Sequence, residues 1–228
     1  EPGSKELTAL NYYTNEEITI PLDPTQTPGE NAQRYFAKYN KQKRTFEALT
    51  ELIQETADDI QYLESISNAL DIALSEADLA QIKEELMQSG YIRRKHTKKK
   101  VKLTSKPMHY ISSDGYDMYV GKNNLQNEEL TFSFANGNDW WFHAKGAPGS
   151  HVIVKSGGDE LPDRTFEEAG RLAAYYSKNR GADKVEIDYI QKKHVKKPNG
   201  AKPGFVVYYT NYSLVIDSDI SNIKNVQD

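Results

Sequence analysis

From Phe46 the positions Phe46, Leu49, Ile53, Thr56, Ile60, Leu63, Ser67, Leu70 and Leu74 step by three and four. The same register runs back through Gln42, Tyr39, Tyr35 and Ala32. A stripe this narrow is a heptad seam with polar interruptions, not the broader face of a helix lying on a globular core. Its start is written in the sequence: Thr27 at the N-cap, Pro28 at the first helical position and Glu30 closing a capping box. One helix from Pro28 to Leu74 is expected, roughly 70 Å long at ~1.5 Å per residue. A seam needs a partner helix. The next helical stretch, Ser75 to Gln88, has its own capping box (Ser75 with Asp78), stops at Gly90 and is too short to cover the seam. The partner is therefore expected upstream of this chain, and the exposed seam is expected to self-associate or to fray at its far end.

Before the helix, Asn11 to Asp23 reads as a short extended piece in which Ile18 and Ile20 alternate with Thr19. Past Gly90 the period shortens to two. Met108–Ser112 and Asp117–Gly121 read as a hairpin about Asp114-Gly115. Gly121 to Leu130 is polar and rich in amides, and Leu130 to Ala135 fits strand or helix. A helix follows, capped by Thr165 with Glu168, with Phe166, Ala169, Leu172, Ala173 and Tyr176 on one face, ending by Asn179–Gly181. Val185, Ile187 and Tyr189 then mark a strand; the turn PNGAKPG leads into Phe205–Thr210, and Tyr212–Asp217 forms a last strand.

The centre of this half is Asp139 to Val154, DWWFHAKGAPGSHVIV. Its apolar letters supply strand on both sides, and Gly146, Pro148 and Gly149 force a tight connection. The stretch reads as a hairpin, or two strands with a short crossover, presenting Lys145, Ser150 and one or both of His143 and His151 at one end. Of the adjacent Trp140 and Trp141, either one faces the core and the other outward, or both are buried against different layers.

Hydrophobic residues make up 37% of the 228, a modest core for this length that an elongated part explains. Tyrosine outnumbers the other aromatics, 15 against 7 Phe and 2 Trp, which suits half-exposed surfaces. Cysteine is absent, which excludes disulfide scaffolds, thiolate nucleophiles and Cys-ligated metal sites. No apolar run reaches the ~18–20 residues of a membrane span. Glu1–Ser4 reads as a vector remnant, so the natural chain is expected to begin upstream. The net charge of −4 hides two characters. Acidic residues crowd the first part, whereas Arg93–Lys106 and Lys192–Lys197 are basic runs. The first run is a solvated linker or, where Val101 and Leu103 alternate with Lys100 and Lys102, the entry strand of a second domain. The expected organisation is an extended segment with a coiled-coil arm over 1–92 and a compact domain over 93–228. The fold class is α+β, a long coiled-coil helical arm followed by a compact mixed α/β domain.

Catalysis finds no support. Ser150 and His151 are strand neighbours that point to opposite faces, and no nucleophile elbow, P-loop or dinucleotide fingerprint occurs. Asp139, His143 and His151 lack a metal-ligand spacing. No enzyme, cofactor or metal is expected. Nucleic acid fits better: lysines take phosphates, and Trp, Tyr and His rings take unstacked bases. The candidate cations are Lys145, Lys178, Arg180, Lys193, Lys196, Lys197 and Lys202, expected to gather on one patch.

Three separated stretches, GKNNLQNEELT, DWWFHAKGAPGSHVIV and LAAYYSKNRGADKVEIDYIQKKHVKKPNGAKPG, together resemble the RNA-binding R domain of the NFACT family. NYYTNEEITIPLDPTQTPGENAQRYFAKYNK and QIKEELMQSGY resemble that family's coiled-coil middle region. The resemblance implies a ribosome quality-control factor that binds the large ribosomal subunit with a stalled peptidyl-tRNA, recruits tRNA and supports C-terminal alanine tailing. It places RNA contacts on Asp139, Trp141, His143, Lys145, Ser150, His151, Lys178, Lys193, Lys197 and Lys202. Such a factor is cytoplasmic. Members of the family are also described as anchorless surface adhesins for fibronectin or fibrinogen, a second implied reading for which the sequence offers no signal, sorting motif or repeat.

Overall fold

A computed structural model describes residues 3–93 and 105–226. The chain divides into two compact units, Glu1–Asp58 and Asp59–Asp228. In the first unit β1 (Glu6–Asn11) pairs antiparallel with β2 (Glu16–Pro21). The extended piece expected near Asn11 is thus the second arm of a hairpin whose first arm carries no clear alternation. Helix α1 (Pro28–Ile72) opens with the expected box: the Glu30 carboxylate accepts from Thr27 N at 2.7 Å, and Glu30 N donates to Thr27 Oγ1 at 3.3 Å. Asn31, 2% exposed, holds the approach by accepting from Asp23 N and donating to Asp23 O.

At 45 residues α1 is about 68 Å long. The predicted seam is bare: Phe46 is 71% exposed, Ile53 67% and Ile60 56%. No helix among the described residues covers it. The last turns use another face instead. Tyr62, Ile66 and Ala69 are buried with Ile82 of α2 (Glu76–Gln88), and Ile72 joins the main core. Ser75 and Asp78 form the expected capping box on α2.

The second unit is built on a seven-stranded, wholly antiparallel sheet. Its strands are β3 (Met108–Ile111), β4 (Asp117–Val120), β5 (Trp140–Ala144), β6 (Val152–Val154), β7 (Val185–Gln191), β8 (Tyr212–Ile216) and β9 (Lys224–Asn225). They lie in the order β8-β7-β5-β6-β4-β3-β9. The β3–β4 turn is the expected one, with Gly115 at φ +89°. One face packs on α4 (Asp163–Tyr175), burying Phe142, Val152, Val154, Leu172 and Ile187 in the main core. Thr165 and Glu168 do not cap α4, which Pro162 precedes without a side-chain cap. Both instead reach the β3–β4 turn: Thr165 Oγ1 donates to Asp114 Oδ2 at 2.9 Å, and Glu168 accepts from Ser113 N at 2.8 Å.

Among the described residues, the other face is covered over its centre. A short helix α3 (Asn124–Glu129) continues into a π-helical turn (Leu130–Phe134), which settles the ambiguous Leu130–Ala135 stretch as helix. That turn, with Val195 and Tyr208, seals Trp141, Ile153 and Ile190. The compact units divide inside α1, whereas the sequence pattern parts the chain between 92 and 93. Most of the first basic run, 94–104, lies outside the described residues.

Candidate nucleic-acid interface

Strand alternation places every second residue of β5 on the α4 side. Trp140, Phe142 and Ala144 pack there, and Trp141 and His143 point to the opposite face. Both tryptophans are therefore held against different layers, and neither stands out to solvent. Trp141 is fully buried, 5.1 Å from the His151 ring, 5.6 Å from His143 and 5.0 Å from Tyr208. Its indole N–H has no partner among the described residues.

β5 and β6 form the expected hairpin, but what they present differs from expectation. Lys145 alone is exposed, and it pairs with Glu186. Ser150, 1% exposed, gives its backbone N–H to Tyr176 O at 2.9 Å, and its hydroxyl finds no partner among the described residues. His151, 2% exposed, lies 2.8 Å through Nδ1 from Thr131 Oγ1 and donates its backbone N–H to Asn127 Oδ1 at 2.9 Å. Burial pushes the half-buried His143 imidazole down to about 4. Burial, with His143 beside it, also holds His151 well below the ordinary histidine value. Both rings are neutral at pH 7.

The amide-rich stretch is the frame behind this hairpin. Asn123 caps α3 and donates to Gln81 Oε1 at 2.8 Å. Asn124 donates to Ser65 Oγ at 2.7 Å and to Glu85 Oε1 at 2.8 Å. Glu85 is fully buried, its Oε1 also takes the Tyr62 hydroxyl at 2.9 Å, and burial raises its pKa. Asp139 belongs to a frame as well: 1% exposed, it accepts from Asn136 N at 2.7 Å and from Lys155 Nζ at 2.5 Å, fixing the turn into β5.

The cations do not form one patch. Lys145 and Lys178 lie at the β5–β6 loop end, where Lys178 N donates to Pro148 O and its ammonium meets Glu64 at 2.6 Å. Arg180 lies 3.7 Å over the Tyr175 ring and donates to its hydroxyl. Lys197 binds Glu128 at 2.7 Å. Lys202 pairs with Asp59, donates to Tyr91 at 2.8 Å and lies 4.6 Å over Tyr62. Burial works against the Lys202 charge, but the bonds to Asp59 and Tyr91 hold its pKa above the usual lysine value. Lys193 and Lys196 are exposed, with no ion-pair partner among the described residues. Lys193 belongs to the other end of β5, where Lys192 N donates to Asp139 O and Lys193 N to Gly137 O, and Lys196 follows on a segment bridged to Val207. Sequence reasoning missed Lys155 of that end, placed Lys192 in the second basic run without counting it a contact, and missed the carboxylates Asp59, Glu64, Glu128 and Glu186 that occupy the others. Each of these carboxylates lies more than 40 positions from its lysine, beyond the reach of local pattern.

Comparison with known proteins places these features. Residues 1–105 match the family model described as NFACT N-terminal and middle domains, and residues 106–210 match NFACT protein RNA binding domain. The chain is 46% identical over 218 residues to the Rqc2 homolog RqcH of Streptococcus pneumoniae, covering 95% of this chain and 39% of that protein. It is 41% identical over 228 residues to Rqc2 homolog RqcH of Bacillus subtilis, again covering 39% of the relative. The chain thus spans well under half the length of the curated relatives it matches. Among solved structures, the C-terminal part of the fibronectin/fibrinogen-binding protein from Streptococcus suis superposes with TM-score 0.78 at 44% identity, covering 86% of this chain and 78% of that one. Family models matched from residue 1 to residue 210, together with relatives 41% and 46% identical along nearly the whole chain, place it in the NFACT family, with that family's RNA-binding domain over residues 106–210.

Proposed function

We propose that this chain is the RNA-contacting part of a ribosome quality-control factor, with tRNA and the large ribosomal subunit as its partners. The observation that carries this reading is the pair Lys193 and Lys196, exposed and without carboxylate partners among the described residues, in a segment matched by an RNA-binding family model. The 3₁₀ turn Lys192–His194 and the backbone bond from Lys196 N to Val207 O at 2.9 Å present them on a fixed base. The buried residues Asp139, Trp141, Ser150 and His151, with the half-buried His143, act here as the support of that surface, and catalysis has no part in the proposal. The bare seam of α1 supports a coiled-coil arm whose second helix belongs to the rest of the longer protein, and so does the short share of the relatives that this chain covers. Alanine tailing is proposed only for that longer protein, in the cytoplasm. No helix among the described residues is long and apolar enough to cross a membrane.

The test is binding of this chain to tRNA across a salt series. Affinity falls linearly in log salt, and Lys193→Glu with Lys196→Glu reduces the slope by about 1 per lysine while the thermal midpoint holds. A second reading, binding of fibronectin or fibrinogen, is favoured by the fold shared with the Streptococcus suis fibronectin/fibrinogen-binding protein. Saturable, salt-insensitive binding to fibronectin with no retention of tRNA selects it instead.

A further inference from the structure

The second sheet face carries two parallel rows of side chains, and among the described residues cover stops partway along both. Paired positions across the strands run His109, Tyr119, Ile153, Trp141 and Ile190. Directly opposite residues share a face, so this row passes from the β3 edge into the sealed centre. Ile153, Trp141 and Ile190 are buried, whereas His109 and Tyr119 are only partly so. The uncovered end is aromatic. The His109 and Tyr119 rings stack 4.5 Å apart and 2° from parallel, and Phe134, 41% exposed, meets Tyr119 edge-on at 4.7 Å. Tyr119 also packs against the sealed cluster and ties the two other rings to it.

The adjacent row is ionic. Lys224 faces Ile111, Ile111 faces Asp117, Lys155 N donates to Asp117 O, and Lys192 N to Asp139 O. Lys155 lies 4.8 Å over Phe134 and neutralises the buried Asp139. Asp117 holds His109 Nε2 at 2.7 Å, fixing the ring. Two carboxylates in this row therefore have partners of their own, and Lys192 and Lys224 remain as cations at its two ends. A cleft lined by the turn Asn136–Asp139 and by Gly157–Gly158 opens beside it.

Flat rings beside a line of ammonium groups match one ligand chemistry, unpaired bases on a phosphate backbone. We infer that the open edge of this face, His109, Tyr119 and Phe134 with Lys155 and Lys192, is a stacking platform for single-stranded RNA. This rests on the RNA-binding reading above and adds to it where the bases go and which form of RNA is chosen. A duplex keeps its bases inside and gains only from the cations.

Fluorescence anisotropy with a short labelled oligoadenylate and with an RNA duplex of the same length tests this. Phe134→Ala and His109→Ala each weaken oligoadenylate binding about tenfold and leave duplex binding unchanged, whereas Lys193→Glu with Lys196→Glu weakens both. Ultraviolet crosslinking of the unmodified protein to the oligoadenylate places the adduct on the peptide holding Tyr119, a readout that needs no variant to fold. Equal losses for both RNAs, unchanged oligoadenylate binding by folded variants, or crosslinks confined to other peptides overturn the platform and leave the RNA reading standing. Failure of the parent protein to bind either RNA removes both.

Discussion

Below about pH 6.5, where free histidine becomes charged, burial keeps His143 and His151 neutral, and the consequence has a definite sign. Histidine in the unfolded chain titrates near 6.5, and His143 in the fold near 4. Unfolding therefore takes up protons below pH 6.5. The stabilisation is complete above that value and is lost as pH falls towards 4. Urea midpoints are expected to drop between pH 7.5 and pH 5, with His143→Gln taking up about one proton fewer on unfolding across that interval. Gly204 offers a sharper test of the loop after the basic run. It sits at φ +77°, and an added Cβ would lie 2.9 Å from Asn124 Cβ. Gly204→Ala is expected to cost about 1–3 kcal/mol in equilibrium unfolding. At this scale the sequence was legible for caps and turns, because Thr27, Ser75 and Gly115 act through neighbours a few positions away. It was opaque for ion pairs. The tie of Lys202 to Asp59 spans 143 positions, and no periodicity reports such a partner.

Elements were legible by period and ambiguous by face. The long helix followed from its unbroken three-four spacing, yet the seam along it is solvent-exposed, and burial near its end falls on Tyr62, Ile66 and Ala69 instead. Two variants separate these faces. Ile66→Ala, removing a side chain 4% exposed, is expected to cost about 2–5 kcal/mol, and Ile53→Ala, at 67% exposed, to stay within about 0.5 kcal/mol in this chain. Equal losses would show the seam to be paired in solution. Thr165 and Glu168 carry the spacing of a capping box, but the β3–β4 turn competes for their oxygens and wins. The pair Trp140 and Trp141 shows the converse. Alternation correctly sent them to opposite faces, and only the cover supplied by the π-helical turn, which no period announces, decides that Trp141 is sealed.

For the whole molecule, the boundary between compact units at Asp58 and Asp59 assigns the last turns of α1 to the sheet-bearing unit. Asp59, Tyr62, Ser65 and Ile66 make their contacts inside that unit. A chain beginning at Asp59 is therefore expected to fold and to keep its RNA affinity within about twofold, whereas one beginning after Ile72 loses the Tyr62–Glu85 and Ser65–Asn124 bonds and unfolds at lower denaturant. Urea titration of the two truncations, with tRNA binding at one fixed salt concentration, reads this directly. The two-residue β9 carries a liability out of proportion to its size. Among the described residues it is the strand that screens the outer side of β3, joining position 110 to position 225. Until a growing polypeptide has delivered that distant latch, the Met108–Ile111 strand offers bare amides to any neighbour, so slow synthesis or nicking near residue 220 invites clumping of half-made copies.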